Sequence, residues 1–140
     1  MRALAIDLGS KRIGIAVSDG LGITVRPVET IKRSGLQKDL ARLKALVADL
    51  EAEAVVVGLP LRLDGTTGDA ALGAMKFAER LRSEINVQVF TQDERLTSFE
   101  ADEVMIGRGL NRAARKARSD EIAATIILRD FLATKRKKLE

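Results

Sequence analysis

Apolar residues along this chain recur with two periods, near two and near 3.6, and the switches between them mark its elements. Residues 2–8 form a short apolar run that stops at Asp7-Leu8-Gly9-Ser10. Residues 12–18 alternate loosely after the tight Gly9-Ser10-Lys11 connection, so the pair predicts a β-hairpin. A third strand is expected over about 23–30, behind the Asp19-Gly20 turn signal. Leu36, Leu40, Leu43, Val47 and Leu50 then follow at helical spacing, behind a Ser34-Gly35-Leu36-Gln37 stretch that resembles a capping box. Residues 53–59, with Ala54-Val55-Val56-Val57-Gly58-Leu59, read as a central strand covered on both faces. A loop from Pro60 to about Asp69 leads to a second helix with Ala71, Met75, Ala78, Leu81 and Ile85 on one face. Residues 86–91 predict a fifth strand, with Asp93-Glu94 just beyond it. Thr97-Ser98-Phe99-Glu100 reads as a second capping box, opening a helix to about Ile106. Ser119 is expected to cap a last helix with Ile122, Ala123, Ile126, Ile127 and Phe131 inward, and both prolines, Pro27 and Pro60, are expected at strand ends.

The resulting order, βββαβαβαα, implies an α/β fold: a mixed five-stranded sheet with helices on both faces. The first strand and the two later ones are expected to be parallel neighbours joined by right-handed crossovers. Sites in such sheets form beyond the carboxyl ends of the strands. Asp7, the 59–65 loop and Asp93-Glu94 would all open onto that one rim. At 140 residues the chain is one domain, taken as 1–134, with 135–140 and its Lys135-Arg136-Lys137-Lys138 run as a solvated basic tail.

Composition narrows the chemistry more than it narrows the fold. Cysteine and histidine are both absent, which removes disulfides, thiolate nucleophiles, Cys-based zinc sites, Ser-His-Asp machinery and imidazole acid–base catalysis. Tyrosine and tryptophan are absent too, so a covalent phosphotyrosine mechanism is excluded. Any catalysis must come from carboxylates, lysines, hydroxyls, backbone amides or a bound hard cation. No apolar run approaches the roughly 20 residues of a membrane span, and the first residues lack a signal-peptide core. A cytoplasmic protein without a membrane partner is expected.

The formal charge of +4 is unevenly spread. Arg108, Arg112, Arg115, Lys116 and Arg118 lie between 108 and 118 with no acid among them. Such a segment suits a polyanion, since neutralising phosphates releases counterions; a mobile solvated loop between two helices is the plainer reading. With four phenylalanines as the whole aromatic content, base stacking is poorly provided, and recognition of a nucleic acid would lean on phosphates and shape.

Asp7, Asp93-Glu94 and Asp120 can each be read singly as a turn or helix-cap acid. Jointly they occupy two strand ends and one helix start that can converge. Clustered carboxylates bind Mg²⁺ or Mn²⁺ through oxygen, and two such ions about 4 Å apart can drive phosphodiester hydrolysis without His, Cys or Tyr.

Four stretches occur in an order that resembles a known family. They are Asp7-Leu8-Gly9-Ser10-Lys11-Arg12-Ile13-Gly14-Ile15-Ala16-Val17-Ser18-Asp19; Val57-Gly58-Leu59-Pro60 with Asp64-Gly65; Asp93-Glu94-Arg95-Leu96-Thr97; and Asp120 with Ala123-Ala124 and Ile127-Leu128. Together they resemble the YqgF/RuvX family, whose members are described as Holliday junction resolvases and as pre-16S rRNA processing nucleases. The resemblance runs from about Met1 to Phe131. It implies an RNase H-like fold and a divalent-metal-dependent hydrolase, with Asp7, Glu94 and Asp120 as metal-holding catalytic acids and Asp93 orienting a ligand or Arg95. Lys11, Arg12, Arg62 and Arg95 would contact phosphates, and Arg112, Arg115, Lys116 and Arg118 would clamp a nucleic-acid backbone. The chain departs from the pattern at Ser119, where many relatives carry an apolar residue before the acid. Pre-rRNA is the favoured substrate, branched DNA the alternative, and oligomeric state is left open. Two rival classes remain: a noncatalytic RNA-binding or transcription-associated module, and an actin-like or sugar-kinase ATPase, whose paired lobes one 140-residue domain does not supply.

Overall fold

The computed structural model describes residues 1–94 and 112–139, the side chains of 112–120 and 136–139 excepted. Strands β1 (Ala3–Leu8), β2 (Arg12–Ser18) and β3 (Val25–Lys32) precede helix α1 (Leu36–Asp49). Strand β4 (Ala54–Leu59), helix α2 (Asp69–Glu84), strand β5 (Gln88–Asp93) and helix α3 (Arg112–Leu139) follow. The sheet order is β3-β2-β1-β4-β5, with β1, β4 and β5 parallel and β2 antiparallel to both of its neighbours. The mixed five-stranded sheet with helices on both faces is thus as the sequence implies. The helix expected over 97–106 lies outside the described residues.

Alternation along the strands separates two cores. Leu4, Ile6, Ile13, Ile15, Val55 and Val57 point to one face, where they meet Leu40, Leu43, Leu46 and Val47 of α1 and Ala74, Phe77, Ala78 and Leu81 of α2. The other face is built of Ala3, Ala5, Ala16, Ala54 and Val56, and it receives Ala124, Ile127, Leu128, Phe131 and Leu132 of α3. The large side chains go where two helices must be spaced from the sheet, and the small ones where a single helix lies close to it. At Gly58 the approach is closest: a Cβ built there would stand 2.4 Å from Cδ1 of Ile127.

Several local expectations are corrected. Helix α1 has Gly35 as its N-cap with no side-chain cap bond, so the Ser34–Gln37 box is not made; instead the Ser34 amide donates to Oδ1 of Asp39 at 3.1 Å. Met75 is exposed, because α2 turns Ala74 and Phe77 inward in its place. Pro27 lies inside β3 rather than at its end; an edge strand tolerates it, beside the register shift at Ile15/Ala16. Strand β5 runs on through Asp93, two residues beyond its expected end. The largest correction is at α3, which begins at Arg112, so Ser119 does not cap it and Asp120 does not open it. The same helix continues to Leu139, and the Lys135 ammonium sits 4.1 Å from the Phe90 ring centroid.

A buried ion pair ties α1 to the β1–β2 hairpin. Asp39 is almost wholly buried on the apolar stripe of α1, and its Oδ2 lies 3.6 Å from Nε of Arg33. The Arg33 guanidinium donates to the Gly9 carbonyl at 2.9 Å, and the Arg33 amide donates to the Lys11 carbonyl at 2.9 Å.

Two consequences are measurable by urea unfolding. Gly58→Ala should cost about 1–3 kcal/mol through overpacking against Ile127, and adding Ile127→Val, which removes the nearest carbon, should recover part of it. A Gly58→Ala variant as stable as the parent would mean that α3 lifts freely. Asp39→Ala should cost about 2–3 kcal/mol, less than a fully buried pair because Arg33 is partly exposed, while Asp39→Asn, which keeps the acceptor for Ser34, should cost less. Equal losses in the two variants would show that the charge on Asp39 is what matters.

Candidate functional site

Strands β1, β4 and β5 end at one rim, and the alternation just described decides which of their residues can meet there. Asp7 shares the face of Ala3 and Ala5, toward α3. Its partner across the β1–β2 ladder is Gly14, which places no side chain beside the carboxylate. Asp7 is half-buried. Glu94 is the first residue past β5; its amide donates to the Leu59 carbonyl at 3.0 Å, extending the β4–β5 ladder by one step. It therefore continues the alternation that sets Phe90 against α3, and it is buried at 8% exposure. Asp93, one residue earlier, takes the opposite face and is exposed.

Helix α3 runs against the direction of β1. Ile127 packs at Gly58, Phe131 stacks on Phe90 with ring centroids 5.2 Å apart, and Leu132 reaches Gly22 beside Met1. The N-terminal half of α3 therefore extends toward and past the rim. Position 120 is seven residues before Ile127, about 10 Å along the axis, on the stripe that continues through Ala124 and Ile127. Its backbone is placed on the side of α3 that faces the sheet. Asp7 and Glu94 thus come to one rim on one face, while the side chain of Asp120 lies outside the described residues. Among the described residues, no three carboxylates form a metal-sized group.

The basic positions divide three ways. Lys11 is exposed in the β1–β2 turn and Arg12, half-buried, opens β2, so both border the rim. Arg62 is exposed in the loop after β4, which is closed by its amide donating to the Thr66 carbonyl at 3.0 Å and by Thr66 donating to Asp64. Arg95 lies outside the described residues. Arg112, Arg115, Lys116 and Arg118 are in helix, not in the expected loop, on a stretch that runs beyond the rim; positions 112, 115 and 116 fall on one helical face.

Arg33 and Asp39 were not candidates, although they hold the hairpin that carries Asp7. The signal for them is an acid at 39 interrupting the Leu36–Leu40–Leu43 stripe, where an unpaired charge would be costly. A cavity of about 370 Å³ at the opposite end of the sheet, among Arg2, Ser18, Asp19, Arg26 and Asp49, has mixed charge and no connection to the rim. There the Ile23 amide and the Thr24 hydroxyl, donating to Asp19 at 2.8 and 3.0 Å, hold its carboxyl below the usual carboxylate range. Among the described residues no helix is long and apolar enough to cross a membrane.

Residues 1–134 match the model of the family described as RuvX, Holliday junction resolvase. A protein of Clostridium beijerinckii named "Putative pre-16S rRNA nuclease" is 42% identical over 132 residues, covering 94% of this chain and 96% of its own length. RuvC of Thermus thermophilus, in complex with a Holliday junction substrate, superposes with a TM-score of 0.58 at 18% identity, covering 97% of this chain and 96% of that one. The fowlpox virus resolvase, with its substrate Holliday junction DNA, gives 0.60 at 11% identity over 96% of this chain and 99% of that one. At such identities these two structures speak for the fold, which is the RNase H-like one. Hydrolysis of phosphodiester bonds is the activity class of the matched family, and the chain belongs to the RuvX family.

Proposed function

We propose that this chain is a divalent-metal-dependent nuclease that trims precursor 16S rRNA at its 5′ end, acting in the cytoplasm through one domain, residues 1–134. The observation that carries this reading is the arrival of Asp7 and Glu94 on the α3 side of one rim, with position 120 on the stripe of α3 that leads there. The names of the relatives favour rRNA, and the family description keeps branched DNA as the second substrate to be tried.

The donor set suits Mg²⁺ or Mn²⁺, since carboxylate oxygens are the ligands that hard cations take. Asp7, Glu94 and Asp120 would hold the metal, which supplies positive charge to activate water and to stabilise the leaving oxygen. The chain's own work is positional. β1 and β5 fix two acids at the rim, and Gly14 leaves space beside Asp7 for the scissile phosphate. Asp93, on the opposite face, would act from outside the cluster by orienting a ligand or Arg95. Lys11, Arg12, Arg62 and Arg95 hold flanking phosphates, and Arg112, Arg115, Lys116 and Arg118 would clamp the nucleic-acid backbone beyond the cut.

Asp7→Asn should lower cleavage of precursor rRNA ends by at least about a hundredfold while RNA affinity stays equal or improves. Asn keeps the shape but loses the charge that holds a hard cation. EDTA should reproduce the loss in the parent protein, and Mg²⁺ or Mn²⁺ should restore activity. Full metal-dependent cleavage by the Asn variant would remove Asp7 from the mechanism, and faster cutting of four-way junctions than of rRNA ends would move the substrate to DNA. Replacing Arg112, Arg115, Lys116 and Arg118 with Gln should flatten the dependence of log affinity on log salt by about 0.7–0.9 per lost phosphate contact. An unchanged slope would show that these side chains are only solvated.

A further inference from the structure

The sheet face opposite the carboxylates carries a second feature at the same end of the molecule. Leu8, the residue after Asp7, turns away from α3 and forms the inner end of a groove of about 240 Å³ between the start of α1 and the outer side of α2. Its floor is apolar, made by Leu8, Leu36 and Phe77. Its walls carry three cations, Arg33, Lys76 and Arg80; Arg33 is paired with Asp39, Arg80 lies 3.9 Å from Glu84 in an exposed i,i+4 pair, and no acid lines the groove itself. Lys76 and Arg80 are four residues apart on α2 and both are exposed. Arg33 faces the groove with the guanidinium that already holds the Gly9 carbonyl, so the groove and the hairpin bearing Asp7 share a side chain.

Gly73 also lines this groove, inside α2, where a glycine lowers helix stability relative to alanine. Nothing in the fold requires it: a Cβ built there meets no atom within 4 Å. A helix-interior glycine facing open space beside two cations leaves the backbone accessible to something that comes close. The positive charge of the walls selects a polyanion, and the apolar floor offers a surface for a base or a sugar.

We infer that this groove binds a single-stranded stretch of the RNA substrate continuing from the cleaved bond, with Lys76 and Arg80 on its phosphates and the exposed Leu36 beneath a base or sugar. The inference rests on the nuclease reading above and extends it: the strand crosses the rim from the α3 side, passes the carboxylates and Lys11, and descends between α1 and α2. None of Gly73, Lys76 and Arg80 belongs to the carboxylate site.

The test uses the full chain and two single-stranded RNA oligonucleotides, one long enough to reach from the rim into the groove and one confined to the rim. Anisotropy titrations in EDTA over a range of salt are run on the parent, on Lys76→Gln/Arg80→Gln and on Gly73→Leu, which fills the groove. For the long RNA, the double variant should raise Kd about tenfold or more and reduce the salt slope by roughly 1.4, two single-strand phosphate contacts. Gly73→Leu should weaken the long RNA several-fold with Tm equal or higher, and neither variant should change binding of the short one. With Mg²⁺, both should raise KM for long RNA and leave kcat unchanged. Parental Kd and slope in both variants, while the parent still cleaves, would overturn the groove assignment and leave the nuclease reading standing; so would equal weakening of the long and short RNAs. A parent protein that neither binds nor cleaves RNA would overturn both.

Discussion

The close seating of α3 on the small-residue face of the sheet is the contact on which the rest of the arrangement depends. Ala3, Ala5, Ala16 and Ala54 keep that face low, and Gly58 lets Ile127 enter where any side chain would collide with it. A helix pressed this near the strands has its height and rotation set by packing, because displaced methyl groups have nowhere to go in a close-packed interior. Rotation in turn sets which positions along the whole helix face the sheet. The stripe of Phe131, Ile127 and Ala124 therefore places position 120 on the sheet side, and a helix running against β1 carries it to the end where Asp7 and Glu94 emerge.

The rim is held from the other face as well. Asp39 is buried within the α1 layer, Arg33 spans from it to Gly9, and the Arg33 amide closes on Lys11. This ion pair costs desolvation, as buried charges do, and contributes less to net stability than to geometry. It connects the first helix to the one turn of chain between Asp7 and Arg12. The hairpin that presents the first acid is thereby braced by hydrogen bonds rather than by apolar packing alone, as a turn exposed at a sheet end requires.

Charge is laid out along a path through this geometry. The backbone of 112–118, which carries four basic positions, is helical and extends beyond the rim on one side of the sheet. Lys76, Arg80 and Arg33 line a groove on the other side, and Lys11 lies between them in the hairpin turn.

The sequence alone determined the element order through β5, the mixed sheet and the family, because apolar periodicity and four ordered motifs are local signals. It also located Asp7 and Glu94 at strand ends, since a strand's carboxyl end shows in the chain as an apolar run stopping at acids and glycine. It did not show where α3 begins. Arg112–Arg118 lacks an apolar stripe of its own, and Ser119-Asp120 imitates a helix cap so well that the true start, eight residues before Asp120, left no local mark. Met75 and Phe77 compete for the inner face of α2 on spacing alone, and only the position of the sheet turned Phe77 inward. The pairing of Asp39 with Arg33, the entry of Ile127 at Gly58 and the groove between α1 and α2 each join segments distant in sequence. No periodicity encodes such contacts; they exist once two layers are packed against a sheet whose twist and spacing bring those particular residues together.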